Sequence, residues 1–148
     1  MKSNFSVLHA ARNLLFVKEL TEELTGQIYK ISRPLKSQLE DVVINCLTIN
    51  GEYLQSGYVN VNIYVRDLQS GLVDTKRLEV LSEIAIKLLD NKKSASHDIL
   101  TAIKGKDQSL LGNVSYVFFE IASPGAVLKD QDQESTHFIN IKLKFNTL

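Results

Sequence analysis

The chain has one cysteine, no tryptophan, two prolines and no excess of either charge. Each shortage removes a class of protein. With Cys46 alone, neither a disulfide-stapled secreted domain nor a cysteine-rich zinc module fits. Seventeen lysines and arginines balance seventeen aspartates and glutamates, so no global field draws the chain to nucleic acid or to an anionic membrane. No apolar run reaches the length of a membrane span, and Met1-Lys2-Ser3-Asn4-Phe5 lacks the apolar segment of a secretory signal. A reducing cytoplasm is the expected place of synthesis. Cys46, inside the run Val42-Val43-Ile44-Asn45-Cys46-Leu47, reads as a buried, inert thiol.

What remains is ordinary globular usage, 44% hydrophobic and 23% charged over 148 residues, enough for one domain spanning 1–148 around one core. Across 7–25, Val7, Leu8, Ala11, Leu14, Leu15, Leu20 and Leu24 predict an amphipathic helix, with Ser6 as N-cap and Gly26 as its stop. Phe16 and Val17 widen its apolar surface toward a second contact. The pattern fades over 27–41, where Pro34 argues against a helix interior or a central strand, so a surface excursion is expected. Residues 42–50 read as a buried strand closed by an Asn50-Gly51 turn.

The clearest signal is at 57–66, where Val59, Val61, Ile63 and Val65 face one way while Asn60, Asn62, Tyr64 and Arg66 face the other. Asp74 is placed to cap a helix carrying Leu78, Leu81, Ile84, Ala85, Leu88 and Leu89 on one stripe. Within 90–112, Asn91-Lys92-Lys93-Ser94 reads as loop and the remainder as a short element of either kind. Residues 113–123 form a strand that Pro124-Gly125 should stop, 129–136 an exposed polar loop, and 137–145 a closing half-buried strand. The expected fold is α+β: a two-layer sandwich with a mainly antiparallel sheet of about four to five strands and an N-terminal and a central helix on it.

Chemistry is sparse. His9, His97 and His137 lack the spacing of a metal site, and the seven glycines are scattered at turns without a phosphate-cradling loop. Asp130, Asp132 and Glu134 alternate without the glycine and distal glutamate of a calcium loop. No catalytic residue, cofactor or metal is expected, and the chain reads as no enzyme.

The order of elements resembles the tail-terminator and head–tail completion proteins of long-tailed bacteriophages and related prophages. Four segments carry the likeness: the leading helix ending in Leu24-Thr25-Gly26-Gln27-Ile28-Tyr29 followed by Arg33-Pro34; the strand 57–66; the helix from Asp74 through Leu89; and the strand 137–145 after an acidic loop. The resemblance implies a noncatalytic subunit of a ring, commonly hexameric, that terminates the tail tube and joins it to the head or neck. Its implied partners are itself, the tail-tube protein and head-completion or neck proteins, with no membrane and at most non-specific passage of DNA. The implied location is the virion, after assembly in the cytoplasm of a bacterial host. A head-to-tail ring needs two different patches per subunit. Phe16, Val17, Tyr29, Arg33, Pro34, Asp130 and Asp132 are the candidates for these, and Lys142 and Lys144 for the channel lining. The alternatives are a portal-proximal neck adaptor, and a cytoplasmic α+β module or enzyme for a small ligand.

Overall fold

The computed structural model describes residues 4–50, 56–95 and 116–147. Helix α1 spans Asn4–Leu15 and buries Val7, Leu8, Ala11 and Leu15 at helical spacing. Continued without interruption, that stripe would place Lys18 and Glu22 in the core and turn Leu20 away from it. The chain instead breaks at Phe16 and the extended Val17 (φ −128°, ψ 156°) and restarts as α2, Lys18–Thr21, which returns Leu20 and then Leu24 to the core. The single helix expected over 7–25 is therefore two. Ser6 lies inside the first turn of α1 and does not cap it, and Gly26 lies well beyond the end of α2.

Gly26 has a different task. Its N–H donates to the Glu40 carbonyl at 3.1 Å, and a Cβ there would meet the Asp41 side chain at 2.1 Å and the Glu40 carbonyl oxygen at 2.6 Å. The close approach of two chain segments requires glycine.

The excursion expected over 27–41 contains a strand, β1, Ile28–Lys30, which is too short to show a periodicity of its own. It runs parallel to β2, Val42–Asn50, which pairs antiparallel with β3, Ser56–Arg66. Gly51 of the expected turn lies outside the described residues. On β3, Val59, Val61, Ile63 and Val65 are buried, as their alternation requires. Helix α3, Thr75–Leu89, starts where the Asp74 carboxylate accepts the Arg77 N–H at 3.2 Å, and it buries Leu78, Leu81, Ala85 and Leu89.

Asn91, at φ +55°, turns the chain directly into β4, Lys92–Ala95, where a loop was expected. Residues 96–115, His97 and the start of the strand expected over 113–123 among them, lie outside the described residues. Strand β5, Tyr116–Lys129, passes through Pro124-Gly125 instead of stopping there. Its register against β6, Thr136–Thr147, shifts on both sides of Ser123, while β4 accompanies it only as far as Phe119. A proline is tolerated at such a bulge, where its missing N–H breaks no ladder.

Among the described residues six strands form one sheet in the order β1-β2-β3-β6-β5-β4, antiparallel except for β1–β2, and the sheet curls into a half-barrel. The fold is α+β as expected, but in place of the expected two-layer sandwich with a sheet of about four to five strands, a six-stranded half-barrel forms. Two short edge strands escaped the pattern, and right-handed twist together with the bulges in β2 and β5 bends the sheet. Helix α1 lies against β2 and β4, α3 crosses β3, β5 and β6, and the helices touch each other. The core between them includes Leu8, Leu15, Ile44, Ile63, Leu81, Phe119, Ile141 and Phe145; burying each such side chain contributes about 1.5–3 kcal/mol.

Replacing Gly26 by Ala forces apart the segments holding Glu40 and Asp41. The expected loss is about 1–3 kcal/mol of stability, read as a lower urea midpoint with an unchanged slope.

Candidate functional site

Arg33, just beyond β1, is almost wholly buried and holds three elements together. Its guanidinium bonds Asp41 at 3.3 Å and Asp130 at 3.0 Å, and its carbon centre lies 3.9 Å from the centroid of the Tyr64 ring. Asp41, fully buried, also accepts from the Ser37 hydroxyl at 2.5 Å and from the Gln27 N–H at 3.1 Å. Asp130 accepts the Asp132 N–H at 3.0 Å, and Gln133 donates to the Ser37 carbonyl at 2.9 Å. The connection 31–41 is thereby fastened to the turn 130–135. Burial, then the charge of Asp130, pushes the Tyr64 hydroxyl up, with Arg33 opposing.

A tight turn delivers Arg33 to this position. Ser32 N–H donates to the Lys30 carbonyl at 2.9 Å around Ile31, whose φ is +75°. This is the rare left-handed form of the three-residue turn, unusual for a β-branched residue and costing about 1–3 kcal/mol. The network around Arg33 holds the strained geometry in place. Its consequence is an apolar ridge facing solvent: Leu35 is 94% exposed, Ile31 56% and Leu39 51%. A cavity of about 520 Å³ lies at the foot of this ridge, lined by Ile31, Leu35, Val43, Asn62, Tyr64 and Asp132, among others.

Beyond Tyr64, the sheet face opposite the core carries a ladder of amides. Asn60 donates to Asn45 at 3.1 Å, and Asn140 donates to Asn60 at 3.2 Å and to Asn62 at 2.7 Å. The Tyr64 and Phe138 rings, 4.9 Å apart, close one end of the ladder. Toward the other end, Lys142 lies 5.6 Å from the Tyr58 ring centroid, and Lys144 is opposite both Tyr58 and Glu120 in register.

Next to Asp41, Glu40 enters a separate clasp. Its carboxylate accepts from Arg77 at 2.6 and 2.9 Å and from the Thr25 N–H at 3.2 Å, while Arg77 also reaches the Glu23 carboxylate at 2.6 Å. Burial pushes the Glu40 carboxyl up, but Arg77 and the Thr25 N–H outweigh it and hold it below its ordinary value.

The residues singled out from sequence separate into two groups. Arg33 and Asp130 are brought together, but as an internal bolt; they do not form the exposed surface expected of 129–136. Pro34 and Asp132 are exposed beside them and line the cavity. Phe16 (49% exposed) and Val17 lie at the α1–α2 break, apart from that network, where Arg12 stacks on the Phe16 ring at 4.5 Å. Tyr29 is half-buried in β1. Cys46, expected to be buried, is half-buried, and that burial pushes its thiol up. His137 contacts Asp67 at 2.7 Å, and His9 lies 3.3 Å from the Lys30 ammonium. Sequence reasoning missed Asp41, Tyr64, Ile31 and Leu35. Alternation placed Tyr64 on the polar face, but nothing along the chain signals a contact between residues 33 and 130.

Among the described residues, no group of three His, Cys, Asp or Glu is placed to hold a metal ion, and no helix is long and apolar enough to cross a membrane. In comparisons with known proteins, no family model and no curated protein matches the chain.

Two outcomes are expected. Arg33→Ala leaves Asp41 and Asp130 buried without their counter-charge and lowers stability by about 3–5 kcal/mol in denaturant unfolding, and Arg33→Lys recovers only part because an ammonium cannot span both carboxylates over a ring. Because the Glu40 carboxyl titrates below its ordinary value in the folded state, its clasp stabilises fully above the ordinary glutamate value of about 4.3 and is lost as pH falls from there through the lower folded-state value. Melting curves at descending pH should therefore fall more steeply for the wild type than for Glu40→Gln.

Proposed function

We propose that this chain is a noncatalytic structural subunit of a long-tailed bacteriophage or related prophage. It assembles into a ring, hexameric in the resembled family, which terminates the tail tube and joins it to the head or neck. The single observation that supports this reading is the apolar ridge of Ile31, Leu35 and Leu39. It projects into solvent from a loop that buried ion pairs hold rigid, and a preorganised apolar projection favours protein contact because little conformational entropy is lost when it docks. Phe16 and Val17 supply a second exposed apolar patch, as a head-to-tail ring requires. In such a ring Lys142 and Lys144 belong to the channel side, where DNA passes without sequence recognition. The particle, assembled in the host cytoplasm, is the place of action. A neck ring nearer the portal would use the same features.

The cavity beside Tyr64 favours a second reading, a binding module for a small ligand, because it combines apolar walls with amide groups. Purified protein should sediment with tail tubes and show a multi-subunit mass on them by light scattering. A chain that stays monomeric and never joins tubes, yet melts higher with one member of a small-molecule panel, would replace the ring reading with the ligand-binding one.

A further inference from the structure

We infer that the ridge at Leu35 of one subunit seats in the cleft at Phe16 of a second copy of this chain. The inference rests on the ring reading above and names the contact that builds the ring.

The two surfaces lie at opposite ends of β1, the edge strand of the sheet. At its C-terminal end the left-handed turn at Ile31 directs the chain outward, and the Arg33 network holds Leu35 almost completely exposed. At its N-terminal end a cleft of about 390 Å³ is lined by Arg12, Phe16, Thr21, Leu24, Gln27 and Ile28, among others. That volume accepts a leucine side chain with room for part of a neighbouring one. Its apolar walls, Phe16, Leu24 and Ile28, match an aliphatic knob.

Charge fixes the choice of occupant. Lys36 follows Leu35 on the ridge and is exposed, whereas Glu22, which follows the cleft-lining Thr21 at the end of α2, is exposed too. On the other flank of the ridge Asp132 is exposed, and Arg12 lines the cleft. Arg12 at the cleft thus complements Asp132 beside the ridge, and Glu22 next to the cleft complements Lys36, and complementary charges orient an apolar contact. Because ridge and cleft are different patches, each copy can give one contact and receive another, the heterologous arrangement that closes into rings.

The test is a mixing experiment read by light scattering and analytical ultracentrifugation. Leu35→Asp destroys the ridge and leaves the cleft; Phe16→Asp destroys the cleft and leaves the ridge. Wild-type protein should form a species larger than a dimer, each variant alone should be monomeric, and the two variants mixed should form a two-chain species through their one intact contact. Both positions are exposed, so far-ultraviolet circular dichroism and the melting temperature should stay close to wild type, and Lys36→Glu should weaken assembly without unfolding. A wild-type oligomer that survives Leu35→Asp overturns this contact while leaving the ring reading in place. A mixture of folded variants that never pairs, or a wild-type chain that stays monomeric in solution, also overturns it. The ring reading itself is judged by attachment to tail tubes.

Discussion

The placement of one nearly buried cation, Arg33, governs the connection 31–41, the segment that carries the exposed Ile31, Leu35 and Leu39. An arginine with almost no solvent access must be matched in charge and hydrogen bonding or it destabilises the fold. Here the match comes from Asp41 at the start of β2, from Asp130 at the end of β5 and from the face of Tyr64 on β3. These groups sit on different strands of a curled sheet and can meet only when the sheet has closed far enough to bring the end of β5 near the end of β1. The guanidinium supplies what a lysine would not: a planar fork that engages two carboxylates while stacking on a ring.

That bolt explains why a costly backbone geometry persists at Ile31. The left-handed turn is strained for a β-branched side chain, and strain of this kind survives only where its surroundings over-determine it. Two hydrogen bonds flank it, from Ile31 N–H to the Ile44 carbonyl and from Ser32 N–H to the Lys30 carbonyl, and the Arg33 network follows immediately. The result is a loop whose Arg33, Ser37 and Asp41 side chains turn inward into one network while Ile31, Leu35 and Leu39 face solvent beside exposed Lys36 and Gln38. Adjacent carboxylates divide the labour: Glu40 fastens the same connection to α3 through Arg77, and Asp41 fastens it to the sheet through Arg33. The close approach at Gly26 lets both reach their partners.

The elements whose residues repeat over many positions were legible in advance. Alternation over β3 placed Val59 through Val65 on the core face, the stripe on α3 and the Asp74 cap were as expected, and the closing strand was recognised. Short or interrupted elements were not. β1 and β4 contain too few residues for a period to emerge, the α1–α2 break corrects a phase drift that sums of apolar positions conceal, and a proline ends a strand only where the ladder needs an N–H, which it does not at the register shift around Pro124. For the candidate site, Arg33, Pro34, Asp130, Asp132, Phe16 and Val17 were named from sequence, but not which of them would be buried. Arg33 and Asp130 became an internal ion pair, and the exposed role passed to Leu35 and Ile31, which no pattern marked.

The linear sequence by itself determined the class of fold, the inward faces of the long elements and the absence of an overall electrostatic pull, because these depend on local periodicity and on composition, which act before any distant residues meet. Tertiary structure alone decided the six-stranded curl, the pairing of Arg33 with Asp41 and Asp130, and the projection of Leu35 into solvent. The curl and the Arg33–Asp130 pair join residues far apart along the chain, 97 positions in the case of the pair. Even Arg33 and Asp41, eight positions apart, show no pattern that predicts their contact, because these interactions exist only once the strands have met.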